Sequence, residues 1–165
     1  MIEITGNSLT IEQVVAVARN GKEVAPLSED VCQRMSRSQE WVESAISENK
    51  VIYGINTGFG PLATTTIKAE EASKLSRNVI LACLVGVGEP LSQEVVRALM
   101  LVRANALVKG FSGIRPVMVQ TIIDMLNAGV TPYIPGKGSL GASGDLAPLA
   151  HLAVVFTRDA HGEGG

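Results

Sequence analysis

The stretch that organises this sequence spans residues 138–148 and reads Gly138-Ser139-Leu140-Gly141-Ala142-Ser143-Gly144-Asp145-Leu146-Ala147-Pro148. It contains three glycines, two serines and two alanines, so almost every side chain in it is small. Small side chains let a backbone fold tightly on itself and let another group approach it closely. An apolar segment with helical character, Leu149 to Phe156, follows at once. The pattern predicts a tight glycine-rich loop that leads into a helix.

The triplet Ala142-Ser143-Gly144 inside this loop has an unusual chemical option. If the loop bends far enough, the amide nitrogen of Gly144 can reach the carbonyl carbon of Ala142. Cyclisation with loss of water there and from Ser143 would leave an electrophilic methylidene ring in the backbone. The plainer interpretation is a tight turn that caps the following helix through Ser143 or Asp145. The residues of the loop alone leave both interpretations open.

The composition indicates a globular chain with a sizeable aliphatic core. Of the 165 residues, 46% are hydrophobic and only 4% are aromatic, which suits closely packed helices. The net charge is −2, and the charged residues are spread along the chain without a basic block. Nucleic acid is therefore not an expected partner.

The sequence carries no apparent targeting or membrane segment. The N-terminus lacks the pattern of a secretory signal. The most apolar helical segment, Glu94 to Val108, is interrupted by Arg97 and Arg103 and is too short and too charged to span a bilayer. Cys32 and Cys83 form no CxxC pair, which fits a reducing compartment. We therefore expect a cytoplasmic chain with no membrane partner.

Start and stop signals predict a mainly α fold with a few short strands at its edges. Thr10 and Gln13 resemble a capping box ahead of a helix that Gly21 closes. The run Val51-Ile52-Tyr53 is β-branched and aromatic, so we expect it to be extended. No linker or repeat divides the chain, which predicts a single domain over residues 1–165. Further helices are expected from Ser28 to about Glu48, Lys68 to Val85, Ser92 to Gly110 and Pro116 to Ala128.

A match to the dinucleotide-binding pattern GxGxxG occurs at residues 136–141, with Asp159 downstream. The context argues against it, because Pro132 and Pro135 cannot lie in a central parallel strand and no βαβ alternation surrounds them. A P-loop is excluded as well, since no Ser or Thr follows the lysine of this stretch. We expect no nucleotide cofactor.

Hydrolase and metal sites find little support in the sequence. The loop lacks the last glycine of the GxSxG nucleophile elbow, because Asp145 stands in that place. His151 and His161 have no obvious partner ligands. His151 lies on the apolar segment after the loop, and we interpret it as a hydrogen-bonded core residue and not as a metal ligand. We expect no metal.

A second glycine-rich segment changes the balance between these interpretations. It reads Tyr53-Gly54-Ile55-Asn56-Thr57-Gly58-Phe59-Gly60. Together with residues 138–151 it strongly resembles two motifs of the histidine and phenylalanine ammonia-lyase family. Residues 78–90 are similar to the helix end between those motifs. The resemblance runs from the first residues to about residue 157, and two long motifs in the family's order and spacing make chance similarity a poor explanation.

The resemblance implies a carbon–nitrogen lyase that eliminates ammonia from an aromatic amino acid and leaves an α,β-unsaturated acid. It implies that Ala142, Ser143 and Gly144 cyclise into 4-methylidene-imidazol-5-one, the family's built-in electrophile, and that Tyr53 is the catalytic base. Such an electrophile has to be made, because ordinary protein side chains supply no strong one. The glycines after Tyr53, Gly60 among them, would let its loop close over the substrate.

Two further residues take roles from the resemblance. In histidine- and tyrosine-selective relatives a histidine commonly stands at the position of Cys83, whereas phenylalanine-selective relatives usually have an apolar residue there. A cysteine is small and mainly hydrophobic, so it favours an apolar substrate ring; a buried core thiol is the alternative. Asp145 would assist ring formation as a nearby acid or by capping the helix.

The chain is much shorter than members of that family. The resemblance therefore implies the N-terminal part of a longer enzyme, whose C-terminal helical part is absent, and a homotetramer whose subunits share the site. Apolar faces that the absent helices would cover are expected to be exposed and to favour self-association. A 2,3-aminomutase, which uses the same ring and re-adds the ammonia, remains open. So does an inactive fragment that acts only as a helical interaction module.

Overall fold

The computed structural model describes residues 1–48, 50–60, 63–67, 71–140 and 143–157. Within these residues the chain forms six helices and a small antiparallel sheet of two strands, which confirms the predicted mainly α fold with short strands. The helices are α1 (Ile11–Asn20), α2 (Glu29–Ser47), α3 (Ala72–Ala82), α4 (Gln93–Leu107), α5 (Pro116–Asn127) and α6 (Leu146–Val154); the strands are β1 (Val87–Pro90) and β2 (Pro135–Lys137). None of the described helices is long and apolar enough to cross a membrane.

The described residues group into two compact units. The first contains Met1–Gln39 and Val87–Lys137, and the second contains Glu40–Gly86 and Gly138–Gly165. In the first unit α4 packs against both α1 and α5. Its core is aliphatic, as the composition predicts, and includes the fully buried side chains of Val17, Val24, Met35, Met100, Leu101, Val119, Ile122, Ile123, Leu126 and Ile134.

Local signals place most helix ends in the first unit correctly. The Thr10 hydroxyl accepts a hydrogen bond from the Gln13 backbone, and the Gln13 side chain accepts one from the Thr10 N–H, which completes the predicted capping box. Gly21, with φ +64°, ends α1. Pro116 takes the first position of α5, where the missing N–H has no cost. Ser92 precedes α4, but among the described residues its side chain makes no capping hydrogen bond.

A buried arginine joins two helix ends in the first unit. Arg97, on α4, is 8% exposed. Its Nε and Nη2 donate to the Val17 carbonyl of α1 at 3.1 and 2.9 Å, and its Nη1 donates to the Leu126 carbonyl of α5 at 2.9 Å. Carbonyls in the last turn of a helix have no intrahelical donor, and a cation is favourable at that end. The guanidinium therefore caps both helices at once.

The second unit departs from the sequence-based expectations in two places. Residues 51 and 52 form no strand, and Tyr53 begins a turn. Helix α3 ends at Ala82, before Val85, and Val87–Pro90 form β1 of the first unit, antiparallel to β2. Within β1, Gly88 has a φ of +86°, which lies outside the right-handed helical region. The predicted start of this helix, Lys68, lies outside the described residues.

Large apolar side chains are exposed in both units. Phe111 is 89% and Leu140 86% exposed, and Val85 and Trp41 also lie largely in solvent. Self-association itself stays a prediction.

Candidate active site

Tyr53 lies at the surface of the second unit, at the start of its glycine-rich turn. Its side chain is 62% exposed. Its ring meets the ring of Phe59 edge-on, with centroids 5.8 Å apart and planes at 69°. The Gly60 N–H donates to the phenol oxygen at 3.5 Å. Among the described residues the hydroxyl donates to no acceptor, so its proton can point toward a substrate.

A buried asparagine shapes this turn. Asn56 is 4% exposed, its Oδ1 accepts from the Ile52 N–H at 2.9 Å, and its Nδ2 donates to the Lys50 carbonyl at 2.7 Å. Its backbone carbonyl accepts from the Ile67 N–H at 2.8 Å. A buried carboxamide with both ends satisfied fixes the backbone around it. An asparagine between glycines is a common turn signal, but the sequence does not reveal that Asn56 is buried.

Thr57 supplies a second set of bonds in the same turn. Its side chain is 1% exposed; its hydroxyl accepts from the Gly54 N–H at 3.2 Å and donates to the Gly58 carbonyl at 2.9 Å. Thr57 also forms an antiparallel bridge with Thr66. The segment that carries Tyr53 is therefore built by neighbouring polar side chains, which explains why it turns where its β-branched residues predict extension.

An ion pair lies in the residues that lead from α2 into the turn. Lys50 Nζ lies 2.7 Å from Glu48 Oε2, and the Ser44 hydroxyl donates to Glu48 at 2.8 Å. The hydrogen bond from Lys50 is the main reason that the pKa of the Glu48 carboxyl lies below its ordinary value, and Ser44 adds to the effect. Lys50 thus contacts both the end of α2 and the Asn56 side chain.

Two described residues of the glycine-rich loop, Ser139 and Gly144, are hydrogen-bonded to each other ahead of α6. The Ser139 hydroxyl donates to the Gly144 carbonyl oxygen. Gly144 has φ +69°, and a Cβ placed on it would meet no atom within 4 Å. Ser143 is exposed. Ala142 lies outside the described residues, so of the triplet the structure describes Ser143 and Gly144.

Asp145 occupies the N-cap position of α6, directly after Gly144. Among the described residues its side chain makes no capping hydrogen bond, and its φ of −128° and ψ of 3° differ from the extended geometry of a capping residue. The interpretation of the loop as a turn capped by the Asp145 side chain is therefore wrong for this geometry. Its carboxyl is half-buried.

His151, on α6, is half-buried and hydrogen-bonded. Its Nε2 accepts from the Gly86 N–H at 3.3 Å, in agreement with its interpretation as a hydrogen-bonded residue. Across the described part of the chain, no cluster of three or more His, Cys, Asp or Glu side chains could hold a metal ion. His161 and Asp159 lie outside that part.

Cys83 follows α3 as its C-cap residue and is a half-buried free thiol. It precedes Gly86 by three positions in the chain, and α3 packs against α6. The second unit thus contains Tyr53, Cys83 and the Ser143–Asp145 segment together. A phenol, a small thiol and part of a glycine-rich loop thus lie in one compact unit of a mainly helical protein.

Comparison with known proteins gives the family. Residues 9–163 match the family described as aromatic amino acid lyase, and the chain belongs to that family. The predicted resemblance is thereby confirmed. The chain is 54% identical over 155 residues to the histidine ammonia-lyase of Caldanaerobacter subterraneus subsp. tengcongensis, an alignment that covers 94% of this chain and 30% of the relative. The chain thus spans about a third of the length of the curated relatives it matches.

Solved structures show the same fold. The ergothionase of Treponema denticola superimposes with a TM-score of 0.89 at 30% identity, over 94% of this chain and 31% of that one. The phenylalanine aminomutase of Pantoea agglomerans superimposes with a TM-score of 0.87 at 36% identity, over 100% of this chain and 32% of that one. Both identities are high enough to support common ancestry as well as a common fold.

Proposed function

We propose that the protein containing these residues eliminates ammonia from an aromatic amino acid and releases an α,β-unsaturated acid. The observation that carries the proposal is the hydrogen bond from the Ser139 hydroxyl to the carbonyl oxygen of Gly144, the last residue of the triplet that would cyclise. The family match and the histidine ammonia-lyases at about half identity support it. The Tyr53 turn belongs to the same compact unit.

The triplet is suited to forming 4-methylidene-imidazol-5-one. The Gly144 nitrogen bonds to the Ala142 carbonyl carbon, whose oxygen leaves as water with the amide protons of Gly144 and Ser143. Ser143 then loses its hydroxyl with its Cα proton as a second water, so no oxidant or reductant is needed. Gly144 has a positive φ and open space around its Cα, which is the geometry that a strained loop requires.

The ring supplies an electrophilic methylidene carbon, which ordinary side chains do not offer. Tyr53 is the proposed base that removes the β-proton of the substrate. Its hydroxyl is exposed and its oxygen is held by the Gly60 N–H, so the group is positioned and accessible. Asn56 and Thr57 hold the turn that carries it. The glycines of this turn, Gly60 included, would allow closure over the substrate.

Cys83 is the proposed determinant of the substrate ring. Its thiol is mainly hydrophobic and favours an apolar ring. The curated relatives named histidine ammonia-lyase support an imidazole ring instead. The two indications differ, and a direct comparison of histidine, phenylalanine and tyrosine as substrates separates them.

An aminomutase is the second candidate function. The phenylalanine aminomutase of Pantoea agglomerans matches the whole of this chain. The same ring and base would serve, and the ammonia would return to the β-carbon. We also propose that the protein is a cytoplasmic homo-oligomer. If no ring forms, the third possibility, an inactive helical interaction module, takes the place of both enzymes.

Intact mass spectrometry of the protein made from its complete coding sequence tests the proposal. We expect a mass lower than the translated sequence by two waters, localised by peptide mapping to Ala142-Ser143-Gly144 and absent from Ser143→Ala. Incubation with each amino acid, followed by ultraviolet absorbance and by chromatography of β-amino acids, distinguishes lyase from mutase. An unmodified wild-type mass would overturn both enzymatic proposals.

A further inference from the structure

Gly86 contacts the chain on both sides of the proposed ring-forming triplet. On the N-terminal side, Gly138 lies so close that a Cβ on it would be 2.9 Å from the Gly86 Cα and 3.3 Å from the Val85 carbonyl oxygen. On the C-terminal side, His151 accepts the Gly86 N–H at 3.3 Å. All of these residues belong to the second compact unit. One peptide therefore holds both flanks of the loop.

We propose that His151 is a positioning residue for ring formation, which acts through its hydrogen bond to Gly86 and not by contact with the reacting atoms. The inference rests on the proposed function, since it concerns the maturation of the same triplet. It assigns a task to a side chain that the proposed elimination leaves unused. The glycine at position 138 is the second part of the same arrangement.

Anchoring both flanks favours cyclisation for an entropic reason. The Gly144 nitrogen must stay near the Ala142 carbonyl carbon, and a free loop would sample many conformations in which it does not. Fixing the two ends raises the fraction of near-attack geometries. The bond from Ser139 to Gly144 closes the inner part of the loop, while Gly138 and His151 hold its outer ends against Gly86.

The hydrogen bond defines which substitution can replace the histidine. Nε2 accepts the Gly86 proton, so in the neutral ring the proton sits on Nδ1. A glutamine side chain places its Oε1 at about the reach of Nε2 and also accepts. A leucine fills similar space without an acceptor and leaves the Gly86 N–H unpaired. The pair His151→Gln and His151→Leu therefore separates hydrogen bonding from packing.

The contact of Gly138 with Gly86 offers an independent variant. Gly138 has φ +136°, and an alanine there would strain the backbone and press against the Gly86 Cα. Gly138→Ala should displace the N-terminal flank and also shift Gly86, whose backbone N, 3.4 Å from the added Cβ, is the donor to His151. Val154→Ala, a half-buried change at the far end of α6, is the control for loss of helix packing.

The experiment follows ring formation in the protein made from its complete coding sequence. After a pulse of synthesis, intact mass gives the fraction that has lost two waters at successive times, and thermal unfolding confirms folding. We expect His151→Leu and Gly138→Ala to form the ring at least about tenfold more slowly. His151→Gln should restore most of the rate, and Val154→Ala should match the wild type.

Each outcome bears on the inference or on the proposed function separately. If the wild type forms no ring, the proposed function fails, and the inference fails with it. If the wild type forms the ring and folded His151→Leu does so equally fast, the inference alone is overturned. Equal slowing in His151→Gln and His151→Leu also overturns it, because the acceptor would then be irrelevant. Should His151→Leu not fold, a normal rate in folded Gly138→Ala overturns it.

Discussion

The backbone N–H of Gly86 donates a hydrogen bond to Nε2 of His151, 3.3 Å away and 65 positions later in the chain. Gly86 lies three residues after Cys83, the C-cap residue of α3, whereas His151 lies in α6, which begins after the proposed ring-forming triplet. The bond thus connects the proposed specificity segment to the proposed ring segment. We therefore expect a substitution in the specificity segment to alter the geometry of the ring segment, and the reverse.

The Tyr53 hydroxyl is expected to matter for turnover and not for ring formation. Tyr53→Phe keeps the edge-on contact with Phe59 and removes only the proton-accepting group. We expect kcat to fall by about a hundredfold to ten-thousandfold, while intact mass still shows the ring. Tyr133→Phe is the matched control, because Tyr133 is 63% exposed and Tyr53 is 62% exposed. A Tyr53→Phe protein with wild-type kcat would refute the assignment.

Cys83→His is expected to shift substrate preference toward histidine. The imidazole would offer a hydrogen bond that a thiol offers only weakly. We expect the ratio of kcat/KM for histidine over phenylalanine to rise by about tenfold to a hundredfold. Cys32→His, at the other half-buried free cysteine, should leave the ratio unchanged. An unchanged ratio in Cys83→His would remove Cys83 from the specificity determinants.

Asn56→Ala is expected to loosen the turn that carries Tyr53. It leaves the Ile52 N–H and the Lys50 carbonyl without their side-chain partner. We expect a loss of about 2 kcal/mol in the free energy of unfolding, measured with urea, and a lower kcat. Asn78→Ala, at an exposed asparagine of α3, is the control. Wild-type stability and kcat in Asn56→Ala would contradict this role.

Arg97→Met is expected to destabilise the first unit. The methionine keeps much of the side-chain volume but leaves the Val17 and Leu126 carbonyls without the donors of the guanidinium. We expect a loss of about 3 kcal/mol in the free energy of unfolding. Arg103→Met, at a half-buried position of the same helix, should cost much less. Equal losses in the two variants would show that the helix-end bonds contribute little.

The ion pair at the end of α2 predicts an acid response. The pKa of Glu48 is lowered in the folded chain, chiefly by the hydrogen bond from Lys50, so the pair stabilises the fold above the unfolded pKa. That contribution is lost as the pH falls through the folded pKa. Carbon-13 NMR should show a Glu48 midpoint below the ordinary 4.5, which rises in Lys50→Gln. An identical midpoint in the variant would exclude Lys50 as the cause.

Helix ends were predictable where the signal is local. The capping box of Thr10 and Gln13 and the proline at the start of α5 act within one turn of the chain, so sequence alone reveals them. The triplet Ala142-Ser143-Gly144 stands out because its small residues are adjacent in the chain, and its cyclisation stays a prediction. Sequence periodicity could not predict Val87–Pro90 as a strand, because its partner is Pro135–Lys137, far along the chain.

The roles of Arg97 and Asn56 were missed for a related reason. In the sequence Arg97 only interrupts an apolar helix. Its contribution to stability depends on hydrogen bonds to two carbonyls that belong to other helices. Asn56 reads as a turn residue, and its burial is set by the packing around it. The Asp145 side chain shows the opposite error: its residue type favours capping, yet the bend before α6 does not place it to cap.

The hydrogen bonds of Arg97 to two different helices have a consequence for how the first unit opens. Val17 and Leu126 belong to helices at opposite ends of the sequence of this unit, yet one guanidinium donates hydrogen bonds to the last-turn carbonyls of both. Fraying of α1 at its C-terminal end would deprive α5 of its fixed donor, and the reverse holds as well. The last-turn amides of the two helices should therefore exchange with solvent at similar rates, as one cooperative opening unit instead of two separate ones.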